Sequence, residues 1–471
     1  SVMTSRSRLS ASLGSNMRFN QTLLSGLACF ALLGCNDFDG DDLFDDDELS
    51  IDEDGVFVDG VFVDDVEFVA EYGGDEPFGG DVYAGSNGPN ENHGNGNGNN
   101  GNGNGNGGGN NGGNNGGGGG NNGGGNNGNG GASGQWFDVV DNDGGNDVAY
   151  AVAVDSGGNA LVAGRLTIAG ARADAWLRKY DTNGNVLWTR IYNGGEGNDY
   201  GFAVAVDSAD NVIIGGRQSG AGEGGNVWLR KVSASGSTIW ERVWNSAYNG
   251  NERIYGLAVD PSNNILATGQ TWAPGEGYNL LTRKYSSNGS LVWSDIVVGA
   301  DHGHDVGRSV ASDSAGNVVV AGKIASATTS DDLWLRKYNA AGAEQWTFTY
   351  NHNDEADLLY GVAVDSNDDI VAVGSLRTGG NDDNWVGKFN GGGGVLWTAM
   401  TDGGGADRPR AVTVDSTNAI VFAGRTAGQG HDLVLRKYKA DGAAQWTRIY
   451  DGAEQLDDIA VARERTGDRQ P

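Results

Sequence analysis

From residue 135 onward, short apolar runs alternate with clusters of Gly, Asp, Asn and Ser, and the order of runs keeps returning. One run closes on Asp155, Asp207, Asp260, Asp313, Asp365 and Asp415, at spacings of 52, 53, 53, 52 and 50 residues. Nine residues after each Asp stands a Gly: Gly164, Gly216, Gly269, Gly322, Gly374 and Gly424. Trp188, Trp240, Trp293, Trp346, Trp397 and Trp446 recur in step, each preceded four residues earlier by Gly. In the first copy the pattern predicts strands over 151–154, 160–163, 175–180 and 186–192, rich in β-branched or aromatic residues and bounded by turn formers. No stretch after 135 holds a helical period, so the chain reads as all-β. A fixed period near 50 residues, with four strands per copy, predicts a β-propeller of four-stranded blades. The first strand of each copy is built of Ala, Val and Gly, which suits crowding around a central axis. One blade cannot cover both of its own faces, so neighbours must supply the cover.

The phrases "AVDSxGNxxVAG", "WLRKYDxxG" and "LWTR" recur over residues 136–461 and resemble the SBBP-type β-propeller repeat. That resemblance implies a propeller and frequent export from bacteria, and it carries no assigned chemistry. The fourth strand occurs seven times, because Trp136 opens an extra copy, and the first strand occurs seven times if 458–462 is counted. This layout predicts a seven-fold ring with an incomplete last blade, closed by pairing the N-terminal outer strand into the C-terminal blade; six blades are the alternative. Closure removes exposed sheet edges.

The N-terminal third has another character. Residues 1–34 read as a signal peptide starting at Met17: Arg18, then an apolar run that ends Leu32-Leu33-Gly34-Cys35. Such a run is too short to span a bilayer. It resembles a bacterial lipoprotein signal with its lipobox, which implies that Cys35 is lipidated and becomes the mature N-terminus. Residues 35–85 form an acidic tether, with 19 Asp and Glu and no base between Asp37 and Asp81. Asp41, Asp42, Asp45, Asp46 and Asp47 lack the Gly turn and closing Glu of a calcium loop, so a solvated, self-repelling segment is expected. Residues 86–134 form a linker in which 94–131 are Gly and Asn alone. Its 38 residues would span roughly 35 Å. The propeller then covers 135–462, followed by a tail at 463–471.

Charge narrows the partners. A formal net charge of −31 argues against nucleic acid. Two Cys cannot staple 471 residues. Expected partners are the membrane, through the lipid anchor, and an envelope protein or polysaccharide; a monomer anchored to the outer membrane or cell surface is expected. Alternation of strand direction puts the first-to-second and third-to-fourth turns on one face. These turns are nearly constant (155–159, 207–211, 313–317), with Asp folding back on nearby N–H groups. The fourth-to-first and second-to-third loops share the other face and vary from copy to copy. Scaffolded variable loops are where a specific surface is built, so Glu196, Asp199, Trp272, Tyr278, Asp301, His302, His304, His352 and His431, with the mouth of the central channel, are candidate binding-face residues. No metal is expected; His302, His304 and Asp305 are the weak candidates, since Zn²⁺ needs rigidly held ligands. No Gly-x-Ser-x-Gly elbow, His-Glu-x-x-His or P-loop occurs in the repeats. Lys179, Lys231, Lys284, Lys337, Lys388 and Lys437 occupy one position in every copy, which predicts a structural role. Residues 180–188 also resemble the Trp-docking repeat of quinoprotein propellers, in which Asp, Gly and Trp join adjacent blades. The calcium site and Cys pair of those enzymes are not recognisable here. A non-enzymatic binding or scaffold module without cofactor is therefore expected, with a periplasmic outer-membrane assembly role or a quinoprotein-like enzyme as alternatives.

Overall fold

Each sequence copy folds into one antiparallel sheet of four strands, taken in chain order from inside to outside. A computed structural model describes residues 147–450 except 168–171, 196, 221–223, 249, 301–302, 327–329 and 428–430, together with the backbone of seven short strands outside that span. The first sheet, blade I, comprises Val148–Val154, Ala160–Thr167, Ala173–Tyr180 and Val186–Tyr192. Blades II to VI begin at Tyr200–Val206, Arg253–Val259, Val306–Ser312, Leu358–Val364 and Arg408–Val414. The strands are longer than the apolar pattern alone indicates, because ladder pairing continues into the flanking polar residues.

The first strands of successive blades lie against one another from I to VI. Their small residues are needed there: a Cβ on Gly256 would come 3.1 Å from the Arg308 carbonyl oxygen of the next blade. Blade faces meet in shared apolar layers. Leu229 and Trp240 of blade II belong to one core with Leu257 and Leu281 of blade III. Six four-stranded sheets joined in this way, side by side through their innermost strands, make a propeller-type array.

Three repeated contacts join the blades. The indole Nε1 of Trp188, Trp240, Trp293, Trp346 and Trp397 donates to a carbonyl in the next blade's third-to-fourth turn, at 3.0–3.3 Å. Each of these indoles lies over that turn's Gly, which has positive φ (Gly289, +81°). On the same face, Ser156 donates its N–H and hydroxyl to Asp210 (2.8 and 2.6 Å), and Ser314 does so to Asp368 (2.7 and 2.6 Å). The Lys ladder supplies the third: all six ammonium groups pair with the marker Asp of their own blade at 2.6–2.8 Å. Four of them also donate to the next blade's turn. Asp260 illustrates the economy of the motif, since its other oxygen accepts the N–H groups of Ser262 and Asn264 at 2.8 Å. Burial raises the carboxyl pKa of Asp155, Asp207, Asp260, Asp313 and Asp415, but the Lys ammonium and turn donors more than offset it, so all five titrate below their ordinary value. The constant face is constant because it is the latch.

Backbone strands outside the six blades make a further sheet in the order Ile459–Val461, Phe30–Leu33, Val66–Glu71, Gln135–Val139. Ile459–Val461 lies beside blade VI, and Phe30–Leu33 beside the first strand of blade I.

Candidate binding face

Every blade slips register once where the third strand meets the fourth and once between its first two strands, toward the variable loops. The register between first and second strands slips between Ala149 and Ala151, Tyr200 and Ala203, Ile254 and Gly256, Gly307 and Ser309, Leu359 and Gly361, and Pro409 and Ala411. A bulge leaves a residue unpaired and re-aims its side chain. The Gly nine residues after each Asp makes this possible. A Cβ on Gly164, Gly216, Gly269 or Gly322 would sit 1.9–2.0 Å from a first-strand carbonyl oxygen.

The residues within the bulges are Tyr150, Phe202, Tyr255, Arg308, Tyr360 and Arg410, at the variable-loop end of the innermost strands. They reach one another across blades. The ring of Phe202 lies 4.9 Å from Tyr150 and 5.6 Å from Tyr255. The guanidinium of Arg308 stands 4.8 Å from the Tyr255 ring, and that of Arg410 stands 4.8 Å from Tyr360. Arg165 and Arg217 flank Tyr200 at 5.5 and 5.8 Å. This row of aromatic and cationic side chains departs from the expectation of small axial side chains. Small residues do hold farther along the strand (Ala153, Ala205, Ala258, Ala311, Ala363), whereas the bulge opens room at the mouth. The row has a counterpart in the sequence: five residues before each marker Asp the copies carry Tyr, Phe or Arg, while just beyond they carry a small residue and then Val or Leu.

A second repeated residue also escaped the pattern. Eight residues before each marker Asp stands a buried acid: Asp147, Asp199, Glu252, Asp305, Asp357 and Asp407. Asp357 accepts the N–H of Arg377 (3.0 Å) with one oxygen and that of His352 (2.6 Å) with the other. Asp199 likewise takes Ser219 (2.7 Å) and Gly194 (2.5 Å), and Asp305 takes Ala325 (2.7 Å) and Gly299. Each acid ties the fourth-to-first loop to the end of the second strand. Burial raises the pKa of Asp199, Glu252 and Asp305, and it pushes Asp357 up to about 7, where the nearby charges of Asp332 and Glu355 add to it.

Of the residues singled out from sequence, Asp199 and Asp305 are therefore turned inward to backbone donors. Trp272 and Tyr278 are cross-strand partners in blade III, and His304 lies on the Tyr278 ring at 4.4 Å, so these three come together half-buried. Burial drives the His304 pKa down to about 3, with the charges of Lys323 and Arg253 assisting, so its imidazole is neutral. His352 stays with the Tyr350 hydroxyl at 3.4 Å. Glu196, Asp301 and His302 lie outside the described residues, as does the side chain of His431. Cys35 and the acids from Asp41 to Asp47 also lie outside them, and of the acidic tether only the backbone of its short strands, from Ser50–Asp52 to Val66–Glu71, is described. Among the described residues the three-carboxylate grouping is Asp383, Asp402 and Asp407, remote in sequence from the His-centred candidates. Asp407 is already engaged by Gly403 N–H (2.5 Å) and the Thr426 hydroxyl (2.5 Å).

No family model matches the chain, and no curated protein matches it. Among solved structures, Sqt1 from Chaetomium thermophilum is similar at 13% identity, covering 64% of this chain and 71% of that one, with a TM-score of 0.41. A protein of unknown function from Dyadobacter fermentans is 11% identical over 67% of this chain and 95% of its own, at a TM-score of 0.40. The β-propeller domain of the Trilobed protease from Pyrococcus furiosus is 8% identical over 69% and 99%, at a TM-score of 0.38.

Proposed function

We propose that this chain is a lipid-anchored, exported β-propeller that acts as a non-enzymatic binding or scaffold module at the bacterial envelope. The observation that carries the binding role is the bulge position. Six copies share their latch residues, yet at the mouth they present Tyr, Phe, Tyr, Arg, Tyr and Arg. Identical placement serves the scaffold, and large aromatic and cationic side chains that vary between copies at one aligned position build a distinct surface on it. The anchor rests on Leu32-Leu33-Gly34-Cys35, and the Gly/Asn linker gives the propeller reach from the membrane. Ring closure is seven-fold in this reading, with Ile459–Val461 and Gln135–Val139 as inner and outer strands of the last blade.

Leader cleavage before Cys35 would remove Phe30–Leu33, which lies in that same sheet, so the mature blade would keep its outer strands and lose one inner strand. The mass of the purified protein's N-terminus tests the leader, and Cys35→Ser tests the anchor. Release of the variant from membranes is expected; firm retention, or a mature chain that still carries residues 30–33, refutes the anchor. Protease shaving of whole cells then places the module, with cleavage in 86–134 expected for surface display.

A further inference from the structure

The acidic segment enters the last sheet before the Gly/Asn run begins. Val66–Glu71 pairs antiparallel with Gln135–Val139, from Glu67 opposite Val139 to Glu71 opposite Gln135. It also lies beside the first strand of blade I. Residues 72–134 therefore leave the sheet at Glu71 and return at Gln135, which face each other in the register. The Gly and Asn of 94–131 lie wholly inside that excursion. While the pair holds, the covalent path from Cys35 to the propeller is residues 36–65 alone, a reach of roughly 30 Å by chain statistics. When the pair opens, residues 36–134 all become tether, and the reach grows to roughly 55 Å.

Two observations put this pair near balance. In the full chain Val66–Glu71 has a second partner, Phe30–Leu33, from Phe30 opposite Val69 to Leu33 opposite Val66. Cleavage before Cys35 removes that partner, and a two-stranded pair by itself is only marginally stable in water. Charge also works against docking. No Lys or Arg occurs between Arg18 and Arg165, so the strand and its flanks carry acids alone, and they dock on a protein of the same net sign. Salt screens that repulsion. The length of the excursion does not forbid docking, since closure entropy grows only slowly with loop length.

We propose that Val66–Glu71 is a releasable strap that sets the tether to one of two lengths. Docked against Gln135–Val139, it supplies a strand of the last blade and holds the propeller near its anchor. Released, it adds the Gly/Asn run to the tether and lets the variable face reach farther for a ligand. Ionic strength shifts the balance toward docking, because it screens like charges that meet only in the docked state. The two lengths rest on the anchored reading above, whereas the strand pairing stands without it.

The test uses the full mature chain with a site-specific protease sequence inserted within 94–131. After cleavage, the fragment that carries Val66–Glu71 is expected to elute with the propeller from a sizing column, and more completely as salt rises. Phe68→Pro and Val69→Pro are then made separately. Successive N–H groups of a strand point to opposite sides, so one of the two exchanges removes an N–H directed at Gln135–Val139. That variant should retain about tenfold less fragment or worse, and the other should lose less. Both positions lie outside the six blades, and a melting curve checks that the propeller is intact in each. Fragments that separate at every salt concentration overturn docking, and this reading needs no Pro variant. Fragments that stay together in both Pro variants overturn the pairing, and co-elution indifferent to salt overturns the balance between two lengths. On whole cells cleaved at the same site, the unmodified propeller should stay bound at high salt while the weakened variant leaves the surface. Cys35→Ser does not enter the column result, so failure of the anchor and failure of the strap are told apart.

Discussion

Replacing Gly289 by Ala isolates the contact that latches blade III to blade II. The residue has φ +81° and ends a turn in which its N–H donates to Ser286 at 2.8 Å. An added Cβ would stand 2.9 Å from Trp240 Cδ2 and 2.9 Å from an Arg242 Nη2 that also crosses the interface. Gly316 is a matched control, with φ +78° in a turn of the same hydrogen-bonded span, and its nearest foreign atom is 3.7 Å away. Both exchanges carry the left-handed backbone cost of about 1–2 kcal/mol. Only Gly289→Ala also overpacks a buried ring, which adds about 1–3 kcal/mol. The expected losses are therefore about 1–2 kcal/mol for Gly316→Ala and about 2–5 kcal/mol for Gly289→Ala. Urea unfolding followed by Trp fluorescence measures both, with m compared to check that the same transition is seen. If the two variants fall within about 0.5 kcal/mol of each other, a spread normal for harmless surface changes, the indole does not latch the blades.

The Lys ladder makes a second prediction. Lys284→Met strands the buried carboxylate of Asp260 and should cost about 3–5 kcal/mol, and Asp260→Asn in the same chain should recover part of that loss; denaturant midpoints of both variants decide it, and a double variant worse than the single one refutes the pairing. A third concerns pH. Asp357 has a folded pKa of about 7, above its unfolded value, so the folded state binds the extra proton between the ordinary carboxylate range and 7. Its ionisation therefore costs stability that is fully felt above pH 7 and relieved as pH falls toward 5. Melting temperature should rise over that descent, and Asp357→Asn should flatten the slope while lowering stability at pH 5, where one of its two N–H contacts is lost; an unchanged slope refutes the assignment. The Asp carboxyls of the ladder act in the opposite sense, since their folded pKa values lie below the unfolded value and their stabilisation is lost only as pH drops through the acid range.

The sequence alone determined the all-β class, the repeat length and the latch residues, because these obey rules of near neighbours. Strand alternation, turn chemistry at Asp155 and Gly184, and a Lys at one position in six copies are visible without coordinates. It also named Trp272, Tyr278 and His304 among the residues of the variable loops, but only the structure brings these three together. Tertiary structure alone decided what the remaining repeated residues do. Gly164 and its five counterparts could be counted but not explained, since the carbonyl that excludes a Cβ belongs to another strand. Asp199 and Asp305 read as exposed loop acids, yet they face inward because loop backbone needs acceptors that sequence neighbours do not supply. Tyr150, Phe202, Tyr255 and Arg308, and likewise Tyr360 and Arg410, lie about one repeat apart along the chain and meet because the first strands of successive blades lie side by side and each bulges at the same place.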